Sequence, residues 1–484
     1  MTARCVMVLG TTSGAGKSWL TTALCRWYRR QGLKVAPFKA QNMSNNARVV
    51  AGPHGSGEIG SAQYLQALAA GVTPEVRMNP LLLKPESDQR SQVVLLGQVD
   101  EALSGMGWRG RSASVWPVIA RSLDELRETC DVVVIEGAGS PAEINLADSD
   151  IVNMRVARHA DAACLLVTDI DRGGAFAHLY GTWHLLPPEE RALLRGFVLN
   201  KFRGDAALLA PGPDMLRELT GVPVLATLPM WWNHGLPEED GNHDEQSRAG
   251  GAVSLTVAVI AWPRISNLDE FQPLRNIPGV RLIWARSPAD VVGADWIILP
   301  GSKQTSADLA WLRERALDQA IAAHAVEGKR VIGICGGLQM LGEALVDPFG
   351  IDGNAPGLGL LPLVTRFEPA KTLKRTETRF EVFEGPWAAL SGMAVAGYEI
   401  HHGQTAQHPA LAQAQSALPG QLGWLNAQGN VLGIYLHGLF ENASVLQALF
   451  GADVPTLKSV FDGLADYVDR YFEPGALRAL LGKP

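Results

Sequence analysis

Short runs of Val, Ile and Leu without polar alternation recur along the chain, each followed by an amphipathic stretch, and this rhythm constrains the fold more than any other feature. A strand that is apolar on both faces must be covered on both faces. A strand–helix–strand order supplies that cover in a mainly parallel sheet, so the class is α/β. In the first half the predicted strands are residues 5–9, 33–37, 131–135, 163–168, 196–199 and 224–227, with helices such as 19–31 and 148–159 between them. The rhythm stops at 233–251, NHGLPEEDGNHDEQSRAGG, a polar, acidic, glycine-bearing stretch that reads as a linker. It restarts with predicted strands at 255–261, 280–285, 296–299 and 330–334. From about residue 358 the chain is richer in Gly and Thr and reads as more β and irregular, and helices at 454–471 and 476–481 close it. The expected domains are 1–232, 252–450 and a helical extension 451–484, since 484 residues exceed one ordinary core.

The first predicted strand runs into GTTSGAGKS, residues 10–18, and then a helix. This is the layout of a phosphate-binding P-loop. Gly14 and Gly16 let backbone N–H groups wrap phosphate oxygens, Lys17 reaches the β and γ phosphates, and Ser18 is the Mg²⁺ ligand. The spacing departs from strict GxxxxGK[ST], because Thr11 stands where the first Gly belongs and Gly10 comes one residue early. That longer form resembles the loop of dethiobiotin synthetase and its relatives, which phosphorylate carboxylates. A Mg²⁺-bound ATP also needs a carboxylate at the end of a neighbouring strand, and Glu136 fills that place. Asp169 and Asp171 end another strand, at the sheet edge where ligands bind; they read equally as loop acids capping the next helix. Asn200, with Lys201, follows a further strand and could read the nucleotide base.

In the second half, the strand 330–334 runs into Cys335, Gly336 and Gly337 and a predicted helix at 338–345. GICGG at a strand-to-helix corner is a nucleophile elbow: the turn exposes the sulfur, the glycines relieve crowding, and the helix start favours the thiolate. His437, in GIYLHGLFEN at the end of an apolar strand, is the matching general base and later the acid to departing ammonia. Gly336 and Gly301, the latter in ILPGSKQT, are the expected oxyanion donors. Residues 255–442 thus resemble a class I glutamine amidotransferase domain, with one departure. Where such domains carry H-x-E, the residue two after His437 is Leu439, so the third member is missing or comes from elsewhere; Glu441 is a weak substitute, and a Cys–His dyad is the expectation.

The bulk numbers exclude other classes. A formal net charge of -7 argues against a nucleic-acid binder. Five scattered cysteines with no CxxC pair suit neither a disulfide framework nor a zinc site. The N-terminus reads as a strand rather than a signal peptide, and no apolar run approaches the roughly 20 residues that span a bilayer. The expected location is the cytoplasm.

A P-loop domain followed by a glutaminase narrows the field to a few amidoligases, and one family matches along nearly the whole length. APFKAQNMSNN (36–46), MNPLLLKP (78–85), SQVV (91–94), IEGAGSPAEINL (135–146), DIDRGGAFA (169–177), NKFRGD (200–205), LPGSKQT (299–305) and GYEIHHG (397–403) resemble the cobyric acid synthase family. Ser61, Leu338 and His402 stand where that family tends to have Arg, Tyr and Met. The resemblance implies a dethiobiotin-synthetase-like P-loop NTPase domain with a parallel sheet, followed by a flavodoxin-like class I glutamine amidotransferase domain. It implies ATP- and glutamine-dependent amidation of the b, d, e and g carboxylates of a corrinoid, adenosylcobyrinic acid a,c-diamide, in cobalamin biosynthesis. Gln41, Asn42, Ser44 and Asn45 are the substrate candidates, and the same residues read equally as a turn. His401 and His402 either meet the corrinoid or pack internally. The rival within the architecture is cobyrinic acid a,c-diamide synthase, against which QNMSNN and SPAEINL argue. A ParA/MinD-like nucleotide switch is the rival from another class; it carries a second Lys early in the loop, where this chain has Thr12.

Overall fold

Six of the apolar runs form one parallel sheet. The computed structural model describes residues 2–53, 55–87, 90–232, 234–237, 253–411, 413–451 and 455–482. The chain divides into two units: Met1–Ser44, Val50–Asp240 and Leu457–Pro484 in the first, Asn45–Val49 and Gly241–Thr456 in the second. The expected linker 233–251 lies outside the described residues except for 234–237.

In the first unit the strand order is Val224–Pro229, Leu194–Phe202, Ala163–Asp169, Arg4–Gly10, Val132–Glu136, Val35–Phe38, all neighbours parallel. The chain leaves Arg4–Gly10 towards one edge of the sheet and later fills the other side. The carboxyl end of that central strand is therefore a topological switch point, where open α/β sheets bind ligands. Helix Lys17–Arg30 lies against the sheet through Leu20, Ala23, Leu24 and Tyr28, all fully buried. Its other side takes the C-terminal helix Leu457–Tyr471, an amphipathic segment that buries Val460, Phe461, Leu464, Ala465 and Val468. Arg26 Nε meets Asp462 Oδ1 at 2.8 Å, Trp27 Nε1 donates to Asp469 Oδ1 at 2.7 Å, and Tyr28 OH donates to Leu477 O at 2.8 Å.

Three elements of this unit differ from expectation. Residues 148–159 are not one helix: Ile144–Ser149 is a 3₁₀ turn, and the α-helix is Met154–Ala160. The break falls at Asp150, whose carboxylate accepts from the backbone N–H groups of Val152, Asn153 and Arg155. Helix Trp108–Thr129 is not among the helices named from the sequence, and it runs through Gly110 and Pro117, both poor helix formers. Residues 41–99 carry a small four-stranded sheet, Gln41–Met43, Leu81–Ser87, Arg90–Leu95 and Gln98–Val99.

The second unit has a seven-stranded sheet in the order Val280–Ala285, Leu255–Ile260, Trp296–Leu299, Arg330–Ile334, Val431–Ile434, Gly423–Leu425, Gln415–Leu418. The first five are parallel, and the last two strands are joined by antiparallel pairings. The region expected to be β-rich holds a long antiparallel pair, Leu363–Arg379 with Ala394–Gln407. The helix expected at 338–345 is Gly336–Leu341; Gly342 turns extended, and Ala344–Val346 leaves to pair as a strand with Leu363–Arg379.

Candidate functional site

Each unit holds one site at the carboxyl edge of its parallel sheet. In the first, Arg4–Gly10 delivers the loop, and Lys17–Arg30 begins directly after Gly16. Gly16 adopts φ 100°, and a Cβ there would lie 2.1 Å from Asn200 Nδ2. Asn200 uses that space: its Nδ2 donates to Ala15 O at 2.8 Å, bracing the loop from below. Lys17 is buried, its Nζ donating to Thr12 O (3.0 Å) and Gly139 O (3.2 Å) inside the curl where phosphates would lie. Gly14 O accepts from Lys201 Nζ at 3.0 Å. Thr11 Oγ1 donates to Thr168 Oγ1 at 2.9 Å, tying the loop's start to the neighbouring strand.

Glu136 ends the adjacent strand in register with Val8 and is 1% exposed. Its Oε1 accepts from Ser18 Oγ (2.8 Å) and Lys39 Nζ (2.8 Å), and its Oε2 from Gln66 Nε2 (2.6 Å). Burial alone would raise its pKa, but the Lys39 ammonium and the hydrogen bonds from Lys39, Gln66 and Ser18 hold it below the ordinary carboxylate range. Ser18 and Glu136 thus present hard oxygen donors side by side. Among the described residues no group of three or more His, Cys, Asp or Glu gathers as a self-sufficient metal cage.

Of the substrate candidates, Gln41 and Asn42 lie on Gln41–Met43 and are buried with Ser44. Asn42 Nδ2 donates to Gln63 Oε1 at 3.0 Å, and Ser44 N donates to Leu83 O at 3.0 Å. Among the described residues, Gln41 Oε1, Gln63 Nε2 and Gln66 Oε1 are buried without a hydrogen-bond partner. Buried polar atoms are nearly always satisfied, so these amides retain hydrogen-bonding capacity for a polar partner. Asn45 falls in the second unit. Asp169 and Asp171 do not cap helix Ala175–Leu185, which starts after Gly174 without a side-chain cap. Asp169 pairs with Lys201 (3.1 Å) and Arg172 (3.4 Å), and Asp171 with Arg203.

In the second unit, strand Arg330–Ile334 turns at Cys335 into Gly336–Leu341. Cys335 has φ 51° and ψ -106°, a strained conformation for a residue with a Cβ, of the kind held at nucleophile elbows. The sharp turn needs Gly337, where a Cβ would lie 1.9 Å from Leu299 O. Gly301 sits against the His437 ring: a Cβ there would lie 2.9 Å from His437 Cε1. One on Gly336 would lie 2.7 Å from Ser302 N. The expected oxyanion pair is thus brought to the same corner as the thiol and the imidazole.

His437 is 1% exposed. Its Nδ1 lies 3.0 Å from Glu270 Oε1. Gly438 N donates to Glu270 Oε2 at 2.9 Å, so both carboxylate oxygens are engaged. The Cys–His dyad expectation is therefore corrected: a third member exists, and it comes from the turn Leu268–Phe271 rather than from the position two after the histidine. Glu441 instead pairs with Arg48 at 2.5 Å. Burial would lower the pKa of His437, but the Glu270 carboxylate and then the Cys335 sulfur raise it to about 10. Tyr398 stacks on the His437 ring, centroids 5.4 Å apart and planes at 20°. His401 is buried against Tyr435 at 3.9 Å and bonds Gly403 O (2.8 Å), so it packs internally; His402 is half-buried and bonds Glu368 O (3.1 Å).

Sequence reasoning gave no role to Lys39, Gln66 or Glu270. Lys39 lay inside a quoted motif, but a lysine opposite a buried acid is visible only once two strands are adjacent. Glu270 stands 167 residues before His437, and no spacing rule links them.

A P-loop sheet followed by a parallel sheet with a strained cysteine elbow and a charged histidine defines a nucleotide-binding domain joined to a glutamine amidotransferase domain. Residues 6–245 match the family model described as CobQ/CobB/MinD/ParA nucleotide binding domain, and residues 256–445 match the CobB/CobQ-like glutamine amidotransferase domain. The cobyric acid synthase of Polaromonas naphthalenivorans is 72% identical over 99% of this chain and 100% of its own. That of Paracidovorax citrulli is 73% identical over 98% of each chain, and that of Variovorax paradoxus 72% over 99% of this chain and 100% of its own. The chain belongs to the cobyric acid synthase family.

Proposed function

We propose that this chain amidates the b, d, e and g carboxylates of adenosylcobyrinic acid a,c-diamide to give adenosylcobyric acid, with ATP and glutamine as co-substrates, in cobalamin biosynthesis in the cytoplasm. The observation that carries the reading is the coexistence in one chain of a P-loop with a buried acid beside its serine and a cysteine elbow with a charged histidine. Near-full-length likeness to cobyric acid synthases supports four-fold amidation over the a,c-diamide synthase, and the Cys335–His437–Glu270 arrangement has no use in a nucleotide switch.

Glutamine hydrolysis starts with attack of Cys335 Sγ on the side-chain carbonyl of glutamine, the reactive form being the thiolate with the His437 imidazolium as counter-ion. Backbone N–H groups at Gly336 and Gly301 face the developing oxyanion. His437 gives its proton to the departing ammonia, then takes one from the water that cleaves the thioester to glutamate. Glu270 holds the ring by Nδ1, leaving Nε2 for the sulfur side.

In the first unit, backbone N–H groups from Gly14 and Gly16 and the Lys17 ammonium hold the phosphates of ATP, with Asn200 holding the loop. Ser18 and Glu136 are the residues that would hold Mg²⁺, which supplies charge neutralisation on the phosphates when bound. An acceptor carboxylate oxygen attacks the γ phosphorus and ADP leaves. Ammonia then attacks the acyl carbon, phosphate leaves, and a proton passes to solvent. Lys39, with Gln41, Asn42, Ser44 and the amides of Gln63 and Gln66, orients that carboxylate. Asn45 stands apart from them, in the second unit.

The test is incubation with Mg-ATP, glutamine and adenosylated cobyrinic acid a,c-diamide, following product mass with ADP and glutamate. Four successive amidations, with ADP and glutamate formed in step, are the expected result. Amidation of cobyrinic acid but not of its a,c-diamide would reassign the chain to the diamide synthase reaction.

A further inference from the structure

Five residues from the N-terminal half of the sequence, Asn45–Val49, belong to the second unit, and three of them grip the turn that carries Glu270. Asn46 Oδ1 accepts from Leu268 N at 2.9 Å. Ala47 N donates to Asn267 Oδ1 at 3.3 Å, while Asn267 Nδ2 donates to Ala47 O (3.2 Å) and to Tyr398 OH (2.8 Å). Arg48 is 3% exposed. One guanidinium arm pairs with Asp269, the neighbour of Glu270, and the other meets Glu441 Oε1 at 2.5 Å. Glu441 ends the short turn Leu439–Glu441 that follows His437 and Gly438. The guanidinium carbon lies 5.0 Å from the centroid of Tyr398, the ring that stacks on His437.

Arg48 therefore ties together the two segments whose spacing sets the Glu270–His437 contact, and it also bears on the ring over that histidine. A buried guanidinium between two carboxylates is a fixed fork, which the single point charge of a lysine does not reproduce. We propose that Arg48 is a positioning residue for glutamine hydrolysis, holding the Leu268–Phe271 turn against the Leu439–Glu441 turn so that Glu270 orients His437. The glutaminase is thus completed by a residue encoded in the other half of the chain. This rests on the glutaminase reading given above.

The test compares glutamine-driven with ammonium-driven amidation in the full chain. Arg48→Gln should lower kcat for glutamate release by about tenfold to a hundredfold, with the KM for glutamine little changed and ammonium-driven amidation intact. Its alkaline limb should move to lower pH, in the same sense as for Glu270→Gln, and Arg48→Lys should recover only part of the loss. In the Glu270→Gln background Arg48→Gln should add little, because both act through one contact. Effects that multiply, or equal losses with ammonium and glutamine, would overturn the proposal. If Arg48→Gln does not fold, Asp269→Asn removes one arm alone and must show the same kcat loss and the same non-additivity. Cys335→Ala separates the premise: retained glutamine hydrolysis there would sink the glutaminase reading itself, whereas its loss alongside an unaffected Arg48→Gln would sink only the role of Arg48.

Discussion

Glu136 and Glu270 are both buried glutamates at the carboxyl edge of a parallel sheet, 1% and 0% exposed, and their surroundings put them to opposite use. Glu136 faces a fixed cation, Lys39, and a hydroxyl, Ser18, which hold its charge in readiness for other hard partners. Glu270 faces a titratable ring, and its carboxylate raises the His437 pKa to about 10 against the effect of burial. Residue type and depth are the same, so the neighbour decides the chemistry. The partners of Glu136 reach it from three other segments of its own unit, while those of Glu270 are one histidine and the backbone beside it.

The comparison breaks most sharply if the two sites are not chemically separate. Replacing Cys335 with Ala should lower glutamine-driven amidation by at least about a thousandfold and leave ammonium-driven amidation near the parent rate, measured as ADP and amidated product. Replacing Glu136 with Gln, or Lys17 with Met, should lower amidation from both nitrogen sources alike, by about a hundredfold to a thousandfold. Unequal losses in that second pair would mean that the buried acid serves the glutaminase as well.

Smaller effects sharpen the contrast. Glu270→Gln should lower kcat for glutaminase about tenfold to a hundredfold at neutral pH and shift the pH profile. The sign follows from linkage: a raised histidine pKa keeps the imidazolium form up to about pH 10, and its benefit fades as pH rises through that value. Without the carboxylate the alkaline limb moves down; a limb that stays in place would remove Glu270 from the mechanism. The smallest effect expected is for Asp462→Asn, which breaks a half-exposed ion pair with Arg26 at 2.8 Å. It should reduce stability in denaturant by under about 1 kcal/mol and leave both nitrogen sources unaffected.

What could be read from the sequence divides along the same line. The P-loop and the cysteine elbow are contiguous, and glycines that a tight turn cannot do without punctuate both; Gly16 and Gly337 have neighbours at 2.1 and 1.9 Å where a Cβ would go. Strand positions in both parallel sheets were legible from uninterrupted apolar runs, often to within a residue or two at each end. Glu270 was not legible, because a carboxylate found 167 residues from its histidine has no local signature. Nor was the partner of the C-terminal helix: its amphipathic stripe announces a buried face, but the Arg26–Asp462 contact spans 436 positions. Helix Trp108–Thr129 holds Gly110 and Pro117, local penalties that tertiary packing outweighs.

That C-terminal helix has a consequence for the order in which the protein is made. The first unit is interrupted: residues Leu457–Pro484 complete what Met1–Ser44 and Val50–Asp240 begin. At roughly 5–20 residues per second, a ribosome that has finished residue 240 needs on the order of ten to forty seconds to produce the helix that covers Lys17–Arg30. Throughout that interval the side of Lys17–Arg30 that meets Leu457–Tyr471 lacks that partner, while the second unit is being made. The amidotransferase half, encoded later, therefore gains all of its residues first, and the nucleotide-binding half closes last.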